Sequence, residues 1–366
     1  MTLGLYVARR FGSMLARVFL VFLGIMMLIE TIDQLRRFSG RGDGISLGQG
    51  VHLAALNVPE SLYRILPLIT ILAAIALFLG LARSSELVVV RAAGQSGLRF
   101  LLTPVLAALA TGVLAVAVLN PLVAATIKEY EVQVATLAHG SASVLSVNDD
   151  GLWLRQGGDG SQTVVHATRA NADGTQLFGV SFLSFGSDGV PLTRVEAETA
   201  HLVPGAWELT GAKSWAFAAT NPEATAVAKA SIMLASDLTP DAIRDSFGKP
   251  AAIAIWSLPA YVAGLERAGF SARNHRVWLQ SELALPLLLA AMVLVAAGFT
   301  MRHSRVGKSG LMVLFALLGG FAIFFLRNFA QVLGENGQIP VVLAAWGPPV
   351  AATLLALGLL LHQEDG

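Results

Sequence analysis

The chain has 366 residues, a formal net charge of +1 and no cysteine, and it is 55% hydrophobic against only 13% charged. That balance excludes an ordinary soluble domain. The missing cysteine excludes disulfides, thiol nucleophiles, iron–sulfur ligation and cysteine-bound zinc. Near-neutral charge without a basic tract gives nucleic acid no footprint.

Six stretches lack charge, or nearly so, over the roughly 20 residues that cross a hydrocarbon core as a helix. In chain order they run Phe11 to Ile29, Ile65 to Ala82, Phe100 to Val123, Leu283 to Met301, Ser309 to Leu326 and Val341 to Leu361. Arg17 interrupts the first, and its remaining apolar run, preceded by Arg9 and Arg10, has the length of a signal-peptide core. Glu30, Thr31, Ile32 and Asp33 stand where a small-residue cleavage site belongs, which favours an uncleaved span. Basic residues in short loops tend to stay cytoplasmic, and Arg9, Arg10, Arg83, Arg91, Arg99, Arg302, Arg305 and Lys308 place both termini on that side. Arg36, Arg37 and Arg41 oppose this bias, so that cluster asks for a reason of its own.

Between the second and third spans, RSSELVVVRAAGQS carries a candidate surface helix over about 84–94. Ser84 or Ser85 is the candidate cap, Glu86 falls at the positive helix end, and Gly94 ends it. An ordinary interfacial helix, with Leu87, Val88 and Val90 dipping into lipid, fits the same residues.

From about Ile127 to Arg276 the hydropathy falls, and short runs rich in Val, Leu, Phe and Thr alternate with Gly, Asp, Asn and Pro turns. The candidate strands are Val144 to Val147, Leu152 to Arg155, Thr163 to Thr168, Gln176 to Phe185, Leu192 to Thr199, Ala206 to Leu209, Lys213 to Phe217 and Ala224 to Leu234. Their spacing predicts an all-β sandwich, jellyroll or partly open barrel. Thr239, Pro240 and Asp241 suggest a return to helix, and Ser257 to Ala268 is a further helical candidate. The expected domains are 1–126 (three spans), 127–250 (an all-β jellyroll-like insertion), 251–278 (a helical linker) and 279–366 (three spans).

Catalytic motifs are absent. Gly307, Lys308 and Ser309 lack the earlier glycine of a phosphate loop, because Arg302 occupies that position. There is no HExxH and no Gly-x-Ser-x-Gly elbow. Gly157, Gly158, Asp159 and Gly160 read as a turn, and Asp149, Asp150 and Asp159 as solvated turn carboxylates rather than a calcium loop. Glu282 and Arg327 lie near span ends, where a boundary placement avoids the cost of about 2.5 to 3.5 kcal/mol for a central charge.

The order of three spans, β insertion and three spans, together with SELVVVRAAG, GLWLRQ at Gly151 to Gln156 and the segment Leu238 to Pro240, resembles the lipopolysaccharide-export permease family LptF/LptG. DQLRR at Asp33 to Arg37 is closer to LptG, although relatives often carry a Lys one turn earlier, where Glu30 stands here. The resemblance implies an inner-membrane permease subunit with its β domain periplasmic. It further implies an LptB-like ATPase dimer that consumes the ATP, an LptF-like second permease, and an LptC-like membrane-anchored jellyroll protein that receives lipopolysaccharide. The chain itself is expected to bind no cofactor and no metal.

On this reading Ser85, Glu86 and Arg91 contact the ATPase. Arg36, Arg37 and Arg41 bind lipid phosphate through planar forked donors, a solvated helix end with Asp33 pairing to Arg36 or Arg37 being the plainer account. Phe321, Phe324 and Phe325 are candidates for an acyl-chain cavity, or for simple packing. Two other classes stay open: a non-transporting scaffold that displays a β domain, and a lipid-modifying enzyme using Glu282 with His275.

Overall fold

The computed structural model describes all residues except 1, 40–44, 85, 87–95, 138–144, 149–150, 157–160, 172–173, 187, 219–220, 237, 240–242, 244–248, 268–269, 302–308 and 365–366. The chain divides into two compact units. One comprises Met1–Tyr130, Ala251–Trp256 and Arg273–Gly366, the other Glu131–Pro250 and Ser257–Ala272.

The first unit is helical, and six of its helices are long and apolar enough to cross a membrane. Helix α1 (Thr2–Phe38) has 37 residues, so at 1.5 Å per residue it reaches about 55 Å, well beyond a 30 Å hydrocarbon layer. The apolar pattern did not suggest α2 (Leu47–Arg64), which starts with a capping box: the Gln49 backbone N–H donates to Ser46 Oγ, and the Ser46 N–H donates to Gln49 Oε1. Leu53, Ala54, Val58 and Leu62 form its buried stripe. Val58 and Leu62 pack with Phe19, Phe22, Leu23 and Met26 of α1. Ile65 breaks the chain, and Pro67 opens α3 (Leu66–Arg83), where its lost N–H costs nothing.

The third span is α4 (Gly97–Leu114), a π-turn at Ala115–Leu119, and α5 (Asn120–Leu137). Pro121 has no N–H to offer the carbonyl of Ala117 four residues back. The indole N–H of Trp256 donates to that carbonyl at 3.2 Å instead. The Ile255 N–H donates to Asn120 Oδ1 at 2.9 Å, so the returning chain is fastened to the irregular turn twice.

Helix α7 (Arg273–Thr300) is the centre of this unit and is buried almost throughout from Ala284 to Ala297. It begins ten residues before the span expected at Leu283. Around it, α8 (Ser309–Glu335) and α9 (Val341–Glu364) pack through small residues. An added Cβ at Gly112 would lie 2.4 Å from the Pro286 Cα, and one at Gly320 would lie 2.6 Å from Ile71. Arg273 secures the α8–α9 turn by donating to the carbonyls of Gly334 and Ile339, at 2.6 and 2.8 Å.

The second unit holds α6 (Leu258–Arg267) and one antiparallel sheet of seven strands, each paired with its sequence neighbour among the described residues. These are β1 (Leu145–Asn148), β2 (Gly151–Gln156), β3 (Ser161–Ala170), β4 (Gln176–Gly186), β5 (Pro191–Val203), β6 (Ala206–Ala216) and β7 (Val227–Ala235). Trp207 is fully buried edge-on to Phe182, and its indole N–H donates to Gln156 Oε1, which also accepts from Ser236 Oγ. The last residue of GLWLRQ therefore supports the core tryptophan.

One row crosses the sheet with an unusual backbone. Thr168, Gly179, Glu198 and Gly211 fall between paired neighbours on β3 to β6, and the two glycines have φ of +60° and +64°. On every strand the buried positions change parity there: Val165 and Ala167 give way to Ala170, Val180 to Leu177, Ala197 to Ala200, and Leu209 to Ala212. The row is a crease at which inward and outward residues exchange places without loss of register. It corrects the expected break between Ala206 to Leu209 and Lys213 to Phe217, which form one strand. A side chain at Gly211 meets both the left-handed φ and the Glu198 side chain, 3.0 Å away. Gly211→Ala is accordingly expected to destabilise the β unit by about 1–3 kcal/mol, read by chemical denaturation followed through tryptophan fluorescence.

Candidate functional site

Three polar clusters stand out in the helical unit. The first joins the N-terminal end of α1 to the residues that follow α3. Arg10 Nη1 donates to Glu86 Oε1 at 2.7 Å and to the Tyr6 hydroxyl at 2.6 Å, and Ser84 Oγ donates to the same Glu86 oxygen at 2.6 Å. The Ser84 hydrogen bond comes first, and with Arg10 it outweighs partial burial to hold the Glu86 carboxyl below its ordinary range. A depressed folded value means that the contribution is complete above the unfolded value of 4.5 and is lost as pH falls through the lower, folded one. The difference in thermal midpoint between the wild type and Arg10→Ala is expected to shrink as pH falls below about 4.5, as a pH series of thermal melts would read. The surface helix expected over about 84–94 includes Glu86; Ser85, Arg91 and the rest of that segment from 87 to 94 lie outside the described residues.

The second cluster lies at the other end of α1. Gln34 is buried and donates to Glu30 Oε1 at 2.6 Å and to the Tyr130 hydroxyl at 2.8 Å. Asn57 Nδ2 donates to the same Glu30 oxygen at 2.7 Å, and Arg37 Nη1 to the Tyr130 hydroxyl at 3.3 Å. Glu30 thus ties α1 to α2. Arg36 and Arg37 are exposed, and among the described residues neither pairs with Asp33. Arg41 lies outside the described residues. Sequence reasoning missed Tyr130, the residue that positions Arg37; nothing in the local pattern brings it 93 residues back to α1.

The third cluster corrects the boundary placement of Glu282 and Arg327. Glu282 is 0% exposed and Arg327 only 8%. The Tyr63 hydroxyl donates to Glu282 Oε2, and Asn120 Nδ2 donates to the same oxygen at 3.2 Å. Arg327 lies within electrostatic range of the carboxylate. Burial is tolerated because α2 and α5 each bring a hydrogen-bond donor to α7 and α8 brings an opposite charge. With Tyr63 and Asn120 as its partners, Glu282 forms no acid–base dyad with His275. An isolated Asn within an apolar run was the available signal for Asn120; Tyr63 carried none.

Phe321, Phe324 and Phe325 do come together. Phe321 and Phe325 stack at 6.4 Å, and Phe324 meets Phe325 edge-on at 5.9 Å. Phe321 and Phe325 point outward from α8, with 45% and 64% of their surface exposed, so they form an apolar outer face. Among the described residues no group of histidine, aspartate and glutamate is arranged to hold a metal ion.

The family model described as "Lipopolysaccharide export system permease LptF/LptG" matches residues 5–362. The chain is similar to the lipopolysaccharide export system permease protein LptG of Escherichia coli (strain K12), with 26% identity over 365 residues that cover 98% of each protein. It is also similar to the LptG protein of Haemophilus influenzae (strain ATCC 51907), with 21% identity over 367 residues covering 100% of this chain and 99% of that one. A match of this length runs through all six apolar helices and the β unit alike, and by it the chain belongs to the LptF/LptG family of lipopolysaccharide export permeases.

Proposed function

We propose that this chain is the LptG-type permease subunit of an ABC-type exporter that draws lipopolysaccharide from the inner membrane. The observation that carries the reading is the family match over residues 5–362, which takes in both helical halves and the insertion. Both termini face the cytoplasm, and the β unit, jellyroll-like, stands in the periplasm. An LptF-like permease completes the membrane path, an LptB-like ATPase dimer consumes ATP, and an LptC-like jellyroll protein receives the lipid. The open sheet edges supply backbone donors and acceptors for that hand-over.

Within this scheme Ser85, Glu86 and Arg91 form the contact with the ATPase. Arg10 and Ser84 hold the Glu86 carboxylate in place for it. Arg36, Arg37 and Arg41 collect the phosphorylated headgroup, and the outward ring face of Phe321, Phe324 and Phe325 meets acyl chains. The enzyme alternative loses ground for a physical reason: it would need Glu282 free to exchange protons with a substrate, and the carboxylate is fully buried beside Tyr63 and Asn120. The test is to purify the chain with its neighbours and ask whether an ATPase copurifies and drives lipopolysaccharide release. Release that proceeds without ATP, or a complex without an ATPase, overturns the reading.

A further inference from the structure

The buried cluster around Glu282 is incompletely satisfied in a specific way. Both of its neutral donors, Tyr63 and Asn120, reach the same oxygen, Oε2. The other oxygen, Oε1, is buried and has no hydrogen-bond partner. Arg327, on the neighbouring helix α8, is buried too and carries five N–H donors, yet among the described residues it makes neither a hydrogen bond nor an ion pair within 4 Å. An orphan acceptor and a guanidinium of opposite charge therefore sit within electrostatic range of each other without an ion-pair contact. Leaving the buried Oε1 unmade in a medium of low dielectric is costly, and a displacement that brings Arg327 into contact satisfies it.

The surroundings locate that displacement. Helix α7 is enclosed by its neighbours, whereas α8 exposes Leu318, Phe321, Phe325, Leu326, Phe329 and Val332. Moving α7 would disrupt the whole core; moving α8 disturbs one side of it. The close approach of Gly319 to Val295 and of Gly320 to Ile71 fixes α8 about two turns from Arg327, and Arg273 grips its far end at Gly334. Between these fixed points the guanidinium rides on a long, flexible arm, so a shift of that arm and of the middle of α8 is the motion left to bring it to Oε1.

We infer that Glu282 and Arg327 are a two-position latch between α7 and α8, apart in the conformation described here and in direct contact in another that the transport cycle visits. The closed position gives Glu282 Oε1 its missing donor while Tyr63 and Asn120 keep Oε2. Because Asn120 also accepts from the Ile255 N–H, the latch sits on the helix turn that holds the returning chain. Buried polar groups with two alternative arrangements are the kind of bistable element on which conformational cycles run.

The inference rests on the transport reading for what drives the latch, and the test separates the two. The chain contains no cysteine, so Ser281→Cys with Asn328→Cys places one thiol on each helix, next to the latch residues in sequence, while keeping both charges. In the assembled complex in lipid nanodiscs, the disulfide yield is expected to differ at least threefold between the nucleotide-free and the vanadate-trapped state. Adding Glu282→Gln or Arg327→Gln is expected to abolish that difference. Equal yields in the two states while ATP still drives lipopolysaccharide release overturn the latch and leave the transport reading standing. Absence of ATP-driven release in the wild type overturns the transport reading instead. A second measurement needs no partner: in the purified full chain, Glu282→Gln and Arg327→Gln each lower the thermal midpoint, and the double variant is expected to lower it by clearly less than the two shifts added. Strict additivity overturns the pairing.

Discussion

Glu86→Arg is expected to lower ATP-driven lipopolysaccharide release by at least tenfold, measured on the assembled complex with ATP hydrolysis recorded alongside. The intramolecular partner makes this prediction sharp. Arg10 and Glu86 keep 24% and 34% of their side-chain surface exposed, and an ion pair so placed contributes at most about 1 kcal/mol after solvent screening. Its loss alone cannot account for a tenfold effect, since tenfold already requires about 1.4 kcal/mol. Arg10→Ala, which removes the internal pair and leaves the carboxylate, is expected to keep release within about threefold of the wild type. The exchange Arg10→Glu with Glu86→Arg restores the pair with its sign reversed. It should recover thermal stability and leave release impaired, because the group offered to the ATPase then has the wrong charge. Unchanged assembly and release in Glu86→Arg would remove Glu86 from the coupling contact.

The second large effect is expected at the opposite end of α1. Replacing Arg36 and Arg37 together with Glu should cut photo-crosslinking of phosphorylated lipid by roughly a hundredfold at low salt. Each basic group near an anionic surface contributes about 1 kcal/mol, and reversal adds repulsion of similar size, so two reversals amount to about 4 kcal/mol before screening reduces it. The loss should shrink as salt is raised. Arg37 is held by the Tyr130 hydroxyl, so Tyr130→Phe is the finer probe: it keeps the charge, frees the arm, and is expected to weaken crosslinking by only a few-fold. Crosslinking unaffected by the double reversal would dismiss the phosphate role.

Much of the fold was legible because the bilayer imposes a length on apolar runs, and six of them met it. Where the sequence pattern misled, the cause lies in contacts far apart along the chain. Hydropathy sets the cost of Glu282 as if it were alone, and so moves it to a boundary; its donors come from residues 219 and 162 positions away. The Arg10 to Glu86 pair spans 76 positions and leaves no local mark. Three expected strand limits, at Thr168, Thr199 and Leu209, fall on or beside the crease, where alternation reverses and a period-two pattern reads as an end. Helix α2 escaped because its apolar stripe is interrupted by Asn57 and Pro59 and its start is set by one capping box.

The indole of Trp256 on the Ala117 carbonyl has a consequence for how the molecule is made. The donor lies 139 residues downstream of its acceptor, and the Ile255 N–H lies 135 residues beyond Asn120. When the third span leaves the ribosome, these downstream donors have not yet been synthesised. Every residue of the β unit's sheet must be translated before the helix that precedes it can be completed. The span therefore keeps an open seam until the chain comes back.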